Sequence, residues 1–333
     1  MDHGALPHPP AMITRAGRAA ALGRLIGWVA VGVSMGYIGL QLAREAPWEL
    51  AAAHMPTLLA TALAGALLYG IAGFLLSSAW LHLLAAKPSP GSKRWHHAVY
   101  GRTQIAKYLP GNVFHLVGRQ VMGRRLGHRQ APLALASLLE TFLLLLMAAI
   151  LSLPIVWSWL DRSFLWGVSL MAIPLALLAF GWLLRRHHPT LHSLAPGSGE
   201  NALNAALSIG PRLLRPALFY ALFFFVTAVI LWMLAKSVEP PGGPSLSVAT
   251  SIPVVALAWL VGFVTPGSSA GIGVREAVLI TLLEPILGGP GSVLIALALR
   301  IVSMGGDGAF FFLSTALVAN EPAKLTALDE HTV

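Results

Sequence analysis

The chain has 333 residues, of which 56% are apolar and 11% are charged, and its formal net charge is +9. Soluble domains carry about 25% charged residues, so this composition excludes an ordinary cytosolic protein. It indicates a polytopic membrane protein of the all-α class. The absence of cysteine excludes disulfides, thiol catalysis and cysteine-ligated metals.

Apolar runs that can cross a hydrocarbon core of about 30 Å occur eight times along the chain. Two of the later runs, 248–264 and 272–287, are short, and a proline interrupts each of them. We therefore predict about eight transmembrane helices. They form one membrane domain over residues 25–319, flanked by tails at 1–24 and 320–333. The six long runs are 25–43, 57–86, 132–157, 164–184, 216–235 and 293–319.

Positive charge is distributed unevenly between the polar stretches. Residues 87–129 contain nine Lys or Arg and no acidic residue, and residues 185–215 form a second basic stretch. The positive-inside rule places both stretches in the cytoplasm. The first apolar run follows three arginines without a convincing cleavage site, which predicts a signal anchor. We therefore expect a bacterial inner-membrane protein with both termini in the cytoplasm.

Two segments, 107–119 and 264–276, break the apolar pattern with Pro and Gly. In each, an arginine follows the proline by nine residues, Arg119 in the first and Arg275 in the second. Proline ends a helix, glycine permits the reversal, and the N-terminus of the next helix attracts anions. The pattern predicts two broken or re-entrant helices beside a midplane site, the alternative being cytoplasmic loops with interfacial helices. The candidate loop residues are Pro110, Gly111, Pro266, Gly267, Ser268, Ser269, Gly271 and Gly273.

These two motifs resemble a known family. The run Lys107-Tyr-Leu-Pro-Gly with Gly118-Arg119, and the later Pro266-Gly with Gly271-Ile-Gly-Val-Arg-Glu276, are similar to the membrane domain of lysylphosphatidylglycerol synthase/flippases. The resemblance covers residues 20–320 and implies a lipid flippase-like fold in which Arg119, Glu276 and Arg300 are functional. It does not extend to the aminoacyl-transferase domain, and Ser268-Ser269-Ala270 lengthens the second motif.

Three charged residues lie inside the six long runs: Glu140, Arg300 and Asp307. A charge at the centre of a span costs about 2.5–3.5 kcal/mol on insertion scales, so each needs a partner or a function. Seven residues of helix rise about 10 Å, so Arg300 and Asp307 should find partners on other elements. Structural interhelical ion pairs remain the alternative. The predicted substrate-binding residues are Lys107, Tyr108, Asn112, Arg119, Glu140, Arg275, Glu276, Arg300 and Asp307.

Other chemical signals are weak. The Gly267–Gly271 stretch fits a nucleophile elbow but follows a membrane helix rather than a strand. His187, His188 and His192 lack an adjacent carboxylate, and Pro189 prevents a regular helix from aligning them. The chain has no Walker A or Rossmann pattern. We expect no catalytic residue, no cofactor, no metal and no nucleic-acid partner.

The expected function is therefore movement of an amphiphilic lipid, a phospholipid or a polyprenyl-phosphate-linked lipid, between leaflets. Its partners are membrane lipids with anionic head groups. Two alternatives remain. One is a secondary transporter of a small anion that uses the same residues. The other is a non-transporting membrane scaffold for a glycosyltransferase or another lipid-modifying enzyme, in which the internal charges are structural.

Overall fold

The computed structural model describes residues 29, 32–84, 92–109, 114–159, 202–239, 242–265 and 268–319. Within these residues it contains helices and no strands. We number the α-helices α1 to α9. One short 3-10 turn, Ile105–Tyr108, precedes the break in the first segment, and another, Ser269–Gly271, lies within the second segment. The helices are α1 (32–45), α2 (Trp48–Ala53), α3 (Met55–Leu84), α4 (Lys93–Gln104), α5 (Phe114–Arg125), α6 (Gln130–Trp159), α7 (Ala202–Lys236), α8 (Val248–Val264) and α9 (Val274–Ala316).

Four of these helices, α3, α6, α7 and α9, are long and apolar enough to cross a membrane. The protein is therefore an all-α membrane protein, as its composition predicts. These four helices do not establish the predicted count of eight spans. The predicted span 164–184 and most of the stretch before residue 32 lie outside the described residues, and α8 has only 17 residues.

Helix α9 contains two predicted runs, 272–287 and 293–319, joined without a loop. Gly288 has φ 71° and ψ 175°, which no helical residue adopts, so the backbone bends sharply at this glycine. Pro290 follows at the start of the second part, where a missing N–H costs nothing. We call residues 274–287 the early arm and residues 289–316 the late arm.

The late arm packs tightly along α3, and the two run in the same direction. Gly65 of α3 faces Val302, and Gly73 faces the ring of Phe310, so that an added Cβ would lie 3.3 Å and 2.5 Å from these side chains. Small residues let the backbones approach, which is how helices pack in membranes. Helix α7 lies against the same helix in the opposite direction, with Tyr69 edge-on to Phe223 at 5.4 Å.

Helices α4 and α5 form a first hairpin with its tip at the break between residues 109 and 114. Its two open ends meet where His96 Nε2 lies 2.7 Å from His128 Nε2. This end lies beside Trp80, near the last turn of α3. The basic stretch 87–129 thus contains two helices, packed on α3, α6 and α9.

Helix α8 and the early arm form a second hairpin, with its tip at residues 265–273. The two sides of this helical hairpin lie close together near the tip, because a Cβ on Gly262 would lie 3.2 Å from the Gly271 Cα. Its open end lies at the opposite end of the bundle, where Gly289 packs against the carboxylate of Glu45, ahead of α3. The two hairpins therefore enter from opposite ends, and their tips meet inside.

Candidate functional site

The site is a cavity of about 90 Å³ between the two hairpin tips. Three water molecules occupy about this volume in the liquid, so it suits a small polar group rather than a whole lipid. Tyr69 and Leu76 of α3, Glu140 and Leu144 of α6, and Phe223 of α7 form its walls. Its other lining residues are Tyr100, Gln104, Lys107, Tyr108, His115, Arg119, Trp259, Phe263, Ala270, Gly271, Arg275, Arg300 and Ser303.

Arg119 and Glu140 form an ion pair between α5 and α6, with side chains only 1% and 4% exposed. Tyr100 donates a hydrogen bond of 2.6 Å to the other carboxylate oxygen, and its ring lies 3.7 Å from the Arg119 guanidinium carbon. Gln104 Oε1 accepts a bond of 3.0 Å from Arg119 Nη2. Such a buried pair is retained only with many supporting contacts. The Arg119 Nε–H still has no acceptor among the residues that the structure describes.

Asp307 joins the first hairpin tip to the late arm. Lys107 Nζ lies 2.7 Å from Asp307 Oδ2, and the Tyr108 hydroxyl donates to the same oxygen at 2.5 Å. Lys107 and Tyr108 belong to the 3-10 turn that ends at the break. The carboxylate therefore binds the chain at the point where the helix stops.

Arg300 joins the second hairpin tip to the same arm. Its Nη1 donates to the Ala270 carbonyl at 3.0 Å and lies 3.4 Å from Glu276 Oε1. Ala270 has φ 51°, a left-handed conformation that leaves its carbonyl turned out of the helix. The Arg300 guanidinium carbon is also 5.6 Å from the Tyr108 ring, so it contacts both tips. Its Nη2 has no acceptor within the described part of the chain.

Glu276 has a second role at the start of α9. Its Oε2 accepts a hydrogen bond of 2.6 Å from the Gly273 N–H, which is a free donor at the helix N-terminus. We expected this helix end to attract an anionic ligand, but the chain supplies its own carboxylate there. This carboxylate occupies one N–H of the helix end, and the arginine side chains are further groups that can bind an anion there.

Arg275 differs from the other cations of the cavity. Only 8% of this residue is exposed, yet its side chain forms no ion pair or hydrogen bond with any residue that the structure describes. Its Cβ packs against Gly262, which holds the side chain beside the cavity. Its side chain lines the cavity, where an anionic ligand can meet its five donors, so Arg275 is the cavity cation that has no carboxylate partner among the described residues.

Several predicted residues lie outside the described part of the chain: Pro110, Gly111, Asn112, Pro266 and Gly267. The helices do end on either side of them, at Tyr108 and Phe114 and at Val264 and Val274. Ser268 is buried, and its Oγ donates to the Ile272 carbonyl at 3.2 Å, so this hydroxyl stabilises the turn. Ser269 lies in the 3-10 turn, and Gly271 and Gly273 have φ values of 74° and 83°.

Sequence analysis missed Tyr100, Gln104 and His115, which all line the cavity. One signal was available, because His96, Tyr100 and Gln104 are spaced four residues apart and so share one helix face. All three are buried. His115 carried no comparable signal, and its Nδ1 has no hydrogen-bond partner in the described ranges.

No cluster of three potential metal ligands occurs among residues 29, 32–84, 92–109, 114–159, 202–239, 242–265 and 268–319. The His187, His188 and His192 group lies outside these ranges. The described cavity is lined by arginine, lysine, tyrosine and carboxylate groups, of which the cations and hydroxyl groups can bind an anion.

Comparison with known proteins gives no assignment. No protein-family model matches the chain, and no curated protein matches it. The likeness to the lysylphosphatidylglycerol synthase/flippase membrane domain thus depends on the two motifs at 107–119 and 264–276 alone.

Proposed function

We propose that the protein translocates an amphiphilic lipid with an anionic head group between the leaflets of the bacterial inner membrane. Phospholipids and polyprenyl-phosphate-linked lipids both belong to this class. In this proposal the head group crosses through the cavity while the acyl chains stay in the bilayer, as in a flippase-like member of the family that the two motifs resemble. The cations at the open end of the first hairpin support a cytoplasmic location for that end, by the positive-inside rule.

The position of the cavity supports transport. Glu140 is ten residues into α6, so it lies about 15 Å from the helix start. That distance is half the thickness of a hydrocarbon core of about 30 Å. Broken helices that meet near the bilayer midplane form the binding sites of many secondary transporters. Polar backbone at this depth is stable because it is buried in protein or lines a polar cavity.

The charge balance at the cavity is the observation that carries the proposal. Lys107, Arg119, Arg275 and Arg300 line the cavity. Three carboxylates pair with Lys107, Arg119 and Arg300. One positive charge remains, on Arg275, and a guanidinium matches phosphate oxygens through two parallel hydrogen bonds. An anionic ligand would neutralise the site.

The volume of the cavity favours a second candidate, a secondary transporter of a small anion. About 90 Å³ holds an inorganic phosphate-sized ion without any lipid. The same residues would then bind a soluble anion, and the cavity would open to water at each end rather than sideways to the bilayer. Both candidates bind an anionic group. In the first this group is the head group of a lipid, and in the second it is a free ion.

A reconstitution experiment tests both candidates. Vesicles containing the purified protein receive fluorescent phosphatidylglycerol, and dithionite reports how much of it changes leaflet. A parallel set measures uptake of radiolabelled phosphate and sulfate. We expect Arg275→Gln to abolish translocation without lowering the unfolding temperature, because the side chain leaves no ion-pair partner behind. Arg215→Gln, on an exposed position of α7, is the matched control.

The outcomes separate the candidates. Lipid movement that depends on Arg275 supports the flippase, and ion uptake with the same dependence supports the solute transporter. Full activity of a folded Arg275→Gln protein in whichever assay the wild type passes would contradict an anion site at this residue. If the wild type moves neither ligand, the scaffold alternative becomes the better hypothesis.

A further inference from the structure

Helix α5 has an apolar stripe on the side opposite Arg119. Phe114, Val117 and Val121 are 46%, 52% and 50% exposed, and their spacing of three and four residues puts them on one face. Arg119, on the other face, is 1% exposed and lines the cavity. A single helix therefore separates the polar cavity from an apolar outer surface.

At the open end of the hairpin, the exposed face of α5 changes from apolar to cationic. Arg124 continues the same face, and Arg125 lies next to it, both exposed. Arg129 is exposed just beyond the helix, and the sequence from 87 to 129 contains no acidic residue. The outer face is thus apolar toward the tip and cationic toward the end, which complements an anionic lipid with its head group at the arginines.

The length of the stripe fits one leaflet. Residues 114 to 125 rise about 17 Å along a helix. Half of a hydrocarbon core is about 15 Å. A lipid whose phosphate lies at Arg124 and Arg125 would therefore place its acyl chain along Val121, Val117 and Phe114.

From these matches we infer that the outer face of α5 is a second lipid site, distinct from the cavity. It binds one anionic phospholipid of the leaflet on the side where the first hairpin opens. Arg124 and Arg125 hold the phosphate, and Phe114, Val117 and Val121 hold an acyl chain. This inference requires the first hairpin to lie in the bilayer, but it does not require the cavity to transport anything.

Depth measurements test the placement. The native chain has no cysteine, so single cysteines at positions 114, 117, 121 and 124 can carry spin labels without background. In vesicles of phosphatidylcholine and phosphatidylglycerol, accessibility to oxygen should be highest at 114 and fall toward 124. Accessibility to a water-soluble nickel complex should show the reverse gradient. A water-exposed label at 114 would overturn the inference.

Lipid selectivity tests the binding site itself. The fraction of motionally restricted spin-labelled phosphatidylglycerol, relative to spin-labelled phosphatidylcholine, should fall in Arg124→Gln/Arg125→Gln, by up to about five-fold for each arginine. Arg215→Gln should keep the wild-type preference, because its side chain is exposed elsewhere. Equal preference in the double variant and the wild type would disprove the second site.

Discussion

Arg300 and Asp307 lie seven residues apart on the late arm of α9, and each binds a different hairpin tip. Arg300 binds the second tip through Ala270 and Glu276. Asp307 binds the first through Lys107. Two opposite charges on one helix therefore hold together the two segments that line the cavity.

The first prediction concerns Arg300. Its replacement by Met leaves Glu276 buried without its cation, which should lower the free energy of unfolding by about 3–5 kcal/mol. Arg300→Lys should lose less, because a lysine can keep the pair with Glu276. It cannot also bind the Ala270 carbonyl with a planar fork. Thermal unfolding in detergent measures both changes, and an unchanged unfolding temperature for Arg300→Met would contradict the role as a clamp.

The second prediction concerns the buried pair of Arg119 and Glu140. Arg119→Met and Glu140→Gln should each destabilise the protein by about 3–5 kcal/mol, because each leaves one buried charge unpaired. The double variant should be more stable than the sum of the single variants implies. A double-mutant cycle of unfolding free energies measures this coupling. Simple additivity would show that the two side chains are not coupled in the folded protein.

The third prediction concerns the packing of α4 on the late arm. A Cβ on Gly101 would lie 2.0 Å from Ser314 Oγ and 3.0 Å from Ser314 Cβ. Gly101→Ala should therefore be destabilising by about 1–3 kcal/mol through overpacking. Adding Ser314→Gly should recover most of the loss.

Gly36→Ala on α1 provides the control for this exchange, since a Cβ there has no neighbour within 4 Å. It should leave stability unchanged or raise it by up to about 1 kcal/mol, because alanine favours helix. The unfolding temperatures of Gly101→Ala, Gly101→Ala/Ser314→Gly and Gly36→Ala, each compared with the wild type, test this prediction. Failure of Ser314→Gly to rescue Gly101→Ala would mean that the two helices do not meet at this point.

The fourth prediction concerns pH and the His96–His128 contact. His96 Nδ1 donates to the Ser92 carbonyl at 2.8 Å, so its Nε2 must accept the proton of His128 Nε2. Burial and the neighbouring His96 lower the pKa of His128 to about 4, whereas an unfolded histidine titrates near 6.5. Between pH 6.5 and 4, His128 therefore binds a proton in the unfolded chain but stays neutral in the folded protein.

This contribution to stability should therefore be complete above pH 6.5, fall as the pH decreases, and level off below about pH 4. The unfolding temperature of the wild type from pH 7.5 to 4 should fall more steeply than that of His96→Phe/His128→Phe. Parallel curves would show that the histidine contact has no part in the pH dependence.

Hydrophobicity alone locates the long helices well, because a span must be apolar along its whole length. The prediction 248–264 coincides with α8, and the predicted run 57–86 differs by two residues at each end from α3. Hydrophobicity does not locate the first hairpin, because several of its polar residues are buried against other helices. Trp95, Tyr100 and Arg119 are buried only because α3, α6 and α9 cover them, and a window of sequence does not contain those partners.

The candidate site, too, could be predicted from the sequence only in part. Sequence identifies the charged residues, because a charge in an apolar run is costly and stands out. It cannot pair them: Arg119 and Glu140 are 21 residues apart, and Lys107 and Asp307 are 200 apart. Which arginine is left without a carboxylate depends on this pairing, so only the fold distinguishes Arg275 from Arg300.

Gly288 determines more than a bend. A continuous helix of 43 residues would be about 65 Å long, roughly twice the thickness of a hydrocarbon core. If its late arm kept its position along α3, the early arm would project beyond the bilayer and carry Arg275 and Glu276 out into water. No side chain crowds this glycine, so its requirement is a positive φ alone. One backbone dihedral angle thus decides whether the second half of the cavity exists.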